Sequence, residues 1–267
     1  MRANQTIQIP SLITRREMLQ LSCTGGVAYM LGNSSPENPL ALSERLVAAR
    51  DAVDHLVLGV ADLDQGMALV EKATGVKAVI GGVHPGAGTR NALLSLDRKQ
   101  YLEIIAPDPA QSQTVGRFGD LKQLTSPRLL AWAAVTKEIN TVAERARASG
   151  YEIDGPRDGS RARPDGKLLK WRSMSVKNEL SGVIPFFIEW GDGTVHPSED
   201  STKGCRLDAL EMEHPEPDKV RELLKRLGIE ARVSRGNSAQ LRAVLATPKG
   251  RVVIDQRITV VSAKIRG

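Results

Sequence analysis

The stretch DHLVLGVADLDQGMALVEKATG, residues 54–75, decides the fold. His55 to Val60 is short and mostly apolar, as a buried strand is. Asp62 then offers a carboxylate to the free N–H groups of a first helical turn, and Leu63, Met67, Val70 and Ala73 follow at helical spacing. Gly75 suits the left-handed position just past a helix end, where a side chain would clash.

This order recurs. Leu129 to Val135 is a second apolar strand, and Ile139, Val142, Ala143 and Ala146 give its helix one apolar face before Gly150. Leu207 to Met212 begins a third unit, whose helix carries Val220, Leu223, Leu224 and Leu227 before Gly228. The stop glycines Gly75, Gly150 and Gly228 lie 75 and then 78 residues apart, a period that marks an internal repeat.

After each glycine come three short apolar stretches separated by turn residues: Lys77–Gly81, Ala92–Leu96 and Tyr101–Ala106; then Tyr151–Ile153, Leu168–Met174 and Pro185–Trp190; then Glu230–Val233, Leu241–Ala246 and Arg251–Ile254. The expected fold class is α+β, built of repeated βαβββ modules, two well defined and a third less so. A helix covers one face of each small sheet, so the modules should pair through the other face and leave curved mixed sheets around a cleft. The expected organisation is a leader over 1–50, a paired-module domain over 51–200 (modules 54–110 and 126–196) and a third module over 201–267.

Composition narrows the function. Aromatic residues are only 3% of the chain, which argues against base-stacking nucleic-acid modules. The net charge is +6, with much of the excess between Arg157 and Lys177, where Pro164-Asp165-Gly166 reads as the turn of a solvated hairpin. No basic helix or zinc spacing accompanies it, so no nucleic-acid partner is expected. A serine hydrolase is not expected, given the lack of a G-x-S-x-G elbow, and Cys205 has no neighbouring His to activate it.

The first 50 residues differ from the rest. Thr14-Arg15-Arg16-Glu17-Met18-Leu19, a weakly apolar run to Leu31 and the small-residue exit Gly32-Asn33-Ser34-Ser35-Pro36, with a candidate cleavage point after Ala41, form the pattern of a twin-arginine export signal, which predicts a periplasmic location. The apolar run is too short for stable membrane insertion. Cys23 falls in this leader.

The stretches DHLVLGVADLDQG (54–66), GGVHPGAGTRNALLSLDRKQYLEIIAPDP (81–109), RARPDGKLLKW (161–171) and PFFIEWGD (185–192) together resemble the vicinal-oxygen-chelate superfamily, in its glyoxalase-like branch. The resemblance covers about Asp54 to His196. It implies a cleft with up to four metal ligands on the first and last strands of two paired modules. His55, Glu103 and Glu189 match three of these places, and the fourth falls near Leu130 or Ala131, which cannot bind a metal. His84 and His196, both in loops, are candidates to fill it. The implied cofactor is a divalent metal (Fe, Mn, Zn or Ni).

Two carboxylates inside apolar strands and one strand-borne His also make sense physically. A buried carboxylate must pair, hydrogen-bond or bind a cation, and either Glu can serve as a general base without a metal. Arg90 and Asn91, at the start of a strand, and Arg161 and Arg163, in the second module, are expected to hold a small anionic or carbonyl substrate. The expected function is a metal-dependent lyase, isomerase or dioxygenase acting on a small oxygenated molecule. The alternative is a protein of the same fold that sequesters such a molecule without turnover, and a homodimer is compatible with either.

Overall fold

The computed structural model describes residues 46–111, 115–163, 165–177 and 182–261. The twin-arginine stretch and Cys23 therefore lie outside the described residues, as does Pro164. Residues 44–267 make one compact unit. Val47–Ala48 already pairs in parallel with Ile229–Glu230.

The first module runs β1 (Val53–Gly59), α1 (Leu63–Thr74), β2 (Val79–His84), β3 (Thr89–Ser95) and β4 (Tyr101–Pro107). The second runs β5 (Arg128–Val135), α2 (Ile139–Ala148), β6 (Ile153–Ala162), β7 (Leu168–Val176) and β8 (Phe186–Trp190), and a short helix, α3 (Pro197–Asp200), follows it. Asp62 caps α1, its Oδ1 accepting the Gln65 N–H at 2.9 Å. All three stop glycines are left-handed, with φ of 80°, 83° and 85°.

The two modules share one eight-stranded mixed sheet in the order β2-β3-β4-β1-β5-β8-β7-β6. In each, the first strand pairs in parallel with the last, and the antiparallel pairing of β1 with β5 joins them. The sheet curls until its edges approach. Arg161 on β6 donates to the Gly81 carbonyl on β2, and a Cβ on Gly82 would lie 2.8 Å from the Ala162 carbonyl oxygen.

One face of this sheet is the core. Leu56, Leu58, Leu94, Leu102, Ile104 and Trp132 pack there beneath the helices, each fully buried. Trp132 meets the polar requirement of its ring by donating to the Val183 carbonyl at 2.8 Å. On the opposite, concave face the same strands present Val57 and Ile105 with Leu121. Strand alternation thus divides β1 and β4 between a core face and a cleft face.

The third unit has the expected element order, β9 (Arg206–His214), α4 (Pro217–Arg226), β10 (Val233–Arg235), β11 (Gln240–Thr247) and β12 (Gly250–Ile254), and adds β13 (Ile258–Val261). Its pairing differs. The sheet runs β10-β9-β11-β12-β13, so the first strand lies between the second and third instead of beside the last. It forms a separate sheet, and Leu223, Leu224 and Leu245 join the common core.

Candidate functional site

The cleft on the concave face has a volume of about 530 Å³, and its walls include His55, His84, Asn91, Tyr101, Glu103, Arg161 and Trp190. A larger hollow of about 840 Å³ meets the cleft at Arg117, Phe118 and Phe186 but holds none of these buried polar groups. The smaller cavity is therefore the candidate site.

His55 stands on β1 at a β-bulge. The pairing with β5 sets Val53 opposite Ala134 and His55 opposite Ala133, so two steps on one strand answer one on the other. A bulge re-aims side chains that strict alternation would send to opposite faces. Here it lets Asp54 reach its own neighbour: His55 Nδ1 lies 2.7 Å from Asp54 Oδ1, with both side chains buried.

Asp54 is the hub of a buried hydrogen-bond network that sequence reasoning missed. Its Oδ2 accepts Trp190 Nε1–H at 2.8 Å and faces His196 Nε2 at 3.1 Å. His196 Nδ1 in turn lies 2.8 Å from Ser198 Oγ. Burial alone would raise the Asp54 carboxyl, but hydrogen bonds from His196 and His55 outweigh it and hold the group at about 2. An ionised Asp54 fixes the neutral His55 tautomer with the proton on Nδ1, leaving the Nε2 lone pair toward the cleft. His55 Nε2 lies 3.7 Å from Glu103 Oε2.

Glu103, on β4, is held on its other oxygen. Asn91 Nδ2–H donates to Oε1 at 2.5 Å, and His84 Nε2 lies 3.6 Å from the same atom. Burial depresses the His84 pKa, with the Glu103 carboxylate opposing. Neutral His84 can donate from Nδ1 to Thr89 Oγ1, at 2.9 Å, and accept from Asn91 on Nε2, at 3.3 Å. The Arg161 guanidinium, itself buried, adds positive charge near Glu103. A carboxylate in an apolar strand is thereby compensated without leaving the cleft.

Of the expected site residues, His55, Glu103, Asn91 and Arg161 come together, and His84 joins them. Arg90 does not line the cleft, since it alternates with Thr89 and Asn91, which do. Arg163 also stays outside: it pairs with Asp165 and Asp200, tying the β6–β7 turn to α3.

Glu189 points away from the cleft. Phe186, Ile188 and Trp190 of β8 line it, and Glu189 alternates to the helix face. There its Oε1 accepts the Ile139 N–H at 3.1 Å at the start of α2, whose own N-cap Glu138 makes no side-chain cap, and its Oε2 lies 3.4 Å from Arg172. Glu189 is a helix cap supplied from a neighbouring strand. Glu189→Ala should lower stability by about 1 kcal/mol, as loss of an N-terminal cap does. It should leave small-molecule binding in the cleft unchanged, measured by thermal denaturation beside ligand titration; a larger loss in binding than in stability would return Glu189 to the site.

The pairing also locates the true counterparts of His55 and Glu103 in the second module. They are Ala133, directly opposite His55, and Ile188 on β8. Neither has a donor atom, and the place near Leu130 or Ala131 is not the corresponding one. The His84 lone pair is taken by Asn91, and His196 is turned to Asp54. Among the described residues, no group of three His, Cys, Asp or Glu side chains could hold a metal ion. The residues present do not fit the divalent-metal centre that the resemblance implied.

Cys205 is buried, and burial pushes its thiol up to about 11, so it is no nucleophile at neutral pH. Among the described residues, no helix is long and apolar enough to cross a membrane.

The family model described as a glyoxalase-like domain matches residues 53–228, which takes in both modules of the eight-stranded sheet and all of the cleft. The chain belongs to that family. Its membership places this glyoxalase-like protein in the vicinal-oxygen-chelate superfamily, as the resemblance between Asp54 and His196 implied. A hypothetical protein from Staphylococcus aureus is similar in structure, with a TM-score of 0.54 and 16% identity over 70% of this chain and 87% of that one. Methylmalonyl-CoA epimerase from Mycobacterium tuberculosis matches more loosely, with a TM-score of 0.39 and 18% identity over 53% of this chain and 89% of that one. A variant of the Streptomyces coelicolor methylmalonyl-CoA epimerase, in complex with 2-nitronate-propionyl-CoA, has a TM-score of 0.39 and 17% identity over 54% of this chain and 97% of that one. No curated protein matches the chain.

Proposed function

We propose that this glyoxalase-like protein is a lyase or isomerase that moves a proton on a small oxygenated molecule, with His55 as the base. The observation that carries this reading is the buried Asp54–His55 pair, closed at 2.7 Å and opening through Nε2 onto the cleft. A carboxylate behind a histidine fixes its tautomer and stabilises the imidazolium that forms when it takes a proton. Glu103, 3.7 Å from Nε2, is placed to relay or share that proton. Arg161 offers a positive charge to a substrate carboxylate or carbonyl. The metal-dependent and dioxygenase forms of the activity relied on Glu189 as a ligand, and no step is assigned to a metal.

The second reading, sequestration without turnover, draws on Ala133 and Ile188, which leave half of the family's ligand places apolar. One experiment separates the two. Small 2-oxo acids, hydroxyketones and their esters are incubated with the protein in D2O, and loss of the C–H signal beside the carbonyl is followed by proton NMR. The proposal expects at least one compound to exchange with the wild type. Compounds that raise the thermal midpoint while none exchanges would instead establish the binder.

The same proposal includes export through the twin-arginine signal at Arg15-Arg16. Cell fractionation of the full chain against the R15K/R16K variant tests it: a periplasmic wild type and a retained variant support export, and equal distribution refutes it.

A further inference from the structure

Tyr101 has no role in the scheme above, yet its surroundings are specific. It follows a tight turn on β4, and its ring stacks on His55 with centroids 4.6 Å apart and planes 22° from parallel. The His196 ring meets its edge at 5.6 Å. The residue is buried and lines the cleft. Among the described residues its hydroxyl makes no hydrogen bond, although a buried phenol normally finds a partner. Its oxygen is not among the buried polar atoms left without one, so it reaches the cleft surface. Arg161 is placed alike: one N–H goes to the Gly81 carbonyl, and no other nitrogen of its guanidinium is buried and unpaired.

We infer that Tyr101 Oη and the Arg161 guanidinium, which line the same cleft, are the donor pair for a substrate oxygen that becomes negatively charged, which makes the substrate an enolisable carbonyl compound. The inference rests on the proposed role of His55 and deepens it. A C–H bond next to the carbonyl breaks, and its proton goes to His55 Nε2. The bonding pair forms a carbon–carbon double bond, while the carbonyl π pair moves onto oxygen and is received by the Tyr101 O–H and Arg161 N–H. Return of the proton from the imidazolium to carbon completes an isomerisation, and expulsion of a group one carbon further along completes an elimination. The phenol suits this task because burial, with the Asp54 and Glu103 carboxylates, raises its pKa well above 10, so it stays a donor. Preorganised donors aimed at developing charge supply the place that the missing metal ligands leave unfilled.

The test uses Tyr101→Phe, which keeps the ring and its stack on His55, and 4-nitrophenol as a probe whose ionised and neutral forms differ in visible absorbance. The wild type should bind the phenolate about tenfold or more tightly than Y101F, since a hydrogen bond to a charged group is lost, while the neutral phenol binds both alike. In the exchange assay Y101F should lower kcat about 10²-fold with KM little changed. Equal phenolate binding by the two proteins overturns the inference, as does a wild type that binds no phenolate at millimolar concentration. If phenolate binding depends on Tyr101 but no compound exchanges, the oxyanion site stands and the role of His55 as base falls. If compounds exchange at the wild-type rate in Y101F, His55 stands and the inference falls. Thermal midpoint and neutral-phenol binding report whether Y101F is folded.

Discussion

Asp54→Ala is expected to lower the stability of the fold by about 3–5 kcal/mol, the cost of breaking a buried charged network by removing one partner. Three groups converge on this carboxylate: His55 Nδ1, His196 Nε2 and Trp190 Nε1. Alanine would leave all three inside a region where Asp54 is 1% exposed, each losing its acceptor at about 1–3 kcal/mol before relaxation. Asp54→Asn should fall between, because an amide retains one acceptor oxygen but turns its NH2 toward a donor. Urea denaturation of the two variants beside the wild type measures this, and a loss under about 1 kcal/mol for the alanine variant would show that water replaces the carboxylate. Acid gives a second view of the same group. Its folded pKa of about 2 is below the ordinary 3.8, so its contribution is present above the ordinary value and is lost as the pH falls from there toward 2. With about 1.4 kcal/mol per unit, about 2–3 kcal/mol should disappear across that window in the wild type and not in Asp54→Ala.

That network also shows where sequence stops informing structure. The element order was legible because each signal was local: the Asp62 cap, the apolar helical spacing after it, and the glycines at 75, 150 and 228, whose φ values require them. His55 and Glu103 were legible because a charged or polar residue inside an apolar strand calls for compensation. Glu189 met the same test and was misplaced, since nothing in Phe187-Ile188-Glu189-Trp190 says which alternate face meets the cleft. One residue of register changes the face, and Ile188 took the position. Asp54 was hidden for the opposite reason. Adjacent strand residues should point apart, and only the bulge between Val53 and His55 joins it to the site. The pairing of Asp with His at the start of the strand was the available clue. His196 lies 142 residues from Asp54 along the chain, and no local pattern could connect them. The third unit carries the glycine period and the element order, but strand order in a sheet is a property of contacts, and there β9 pairs with β11 and not with β12.

The largest functional effect should fall on His55. Gln in its place preserves an N–H for Asp54 but has no basic lone pair, so deuterium exchange should fall by about 10²–10⁴-fold, the usual worth of a positioned general base. A residue that merely packs against Tyr101 would lower activity only in step with stability, so two further measurements separate the roles. In His55→Ala the vacated space adjoins the open cleft, and added imidazole should restore part of the rate; a packing residue gives no such rescue. Combining His55→Gln with Asp54→Asn should cost little more than His55→Gln alone, because a carboxylate that works through a histidine has nothing left to work on. Additive losses would mean that Asp54 and His55 act separately. Near-complete activity in His55→Gln would move the base to Glu103, whose Oε2 faces the same part of the cleft at 3.7 Å from the imidazole. Glu103→Gln would then show the larger loss, and the Asp54–His55 pair would be a device for shaping the pocket around that carboxylate.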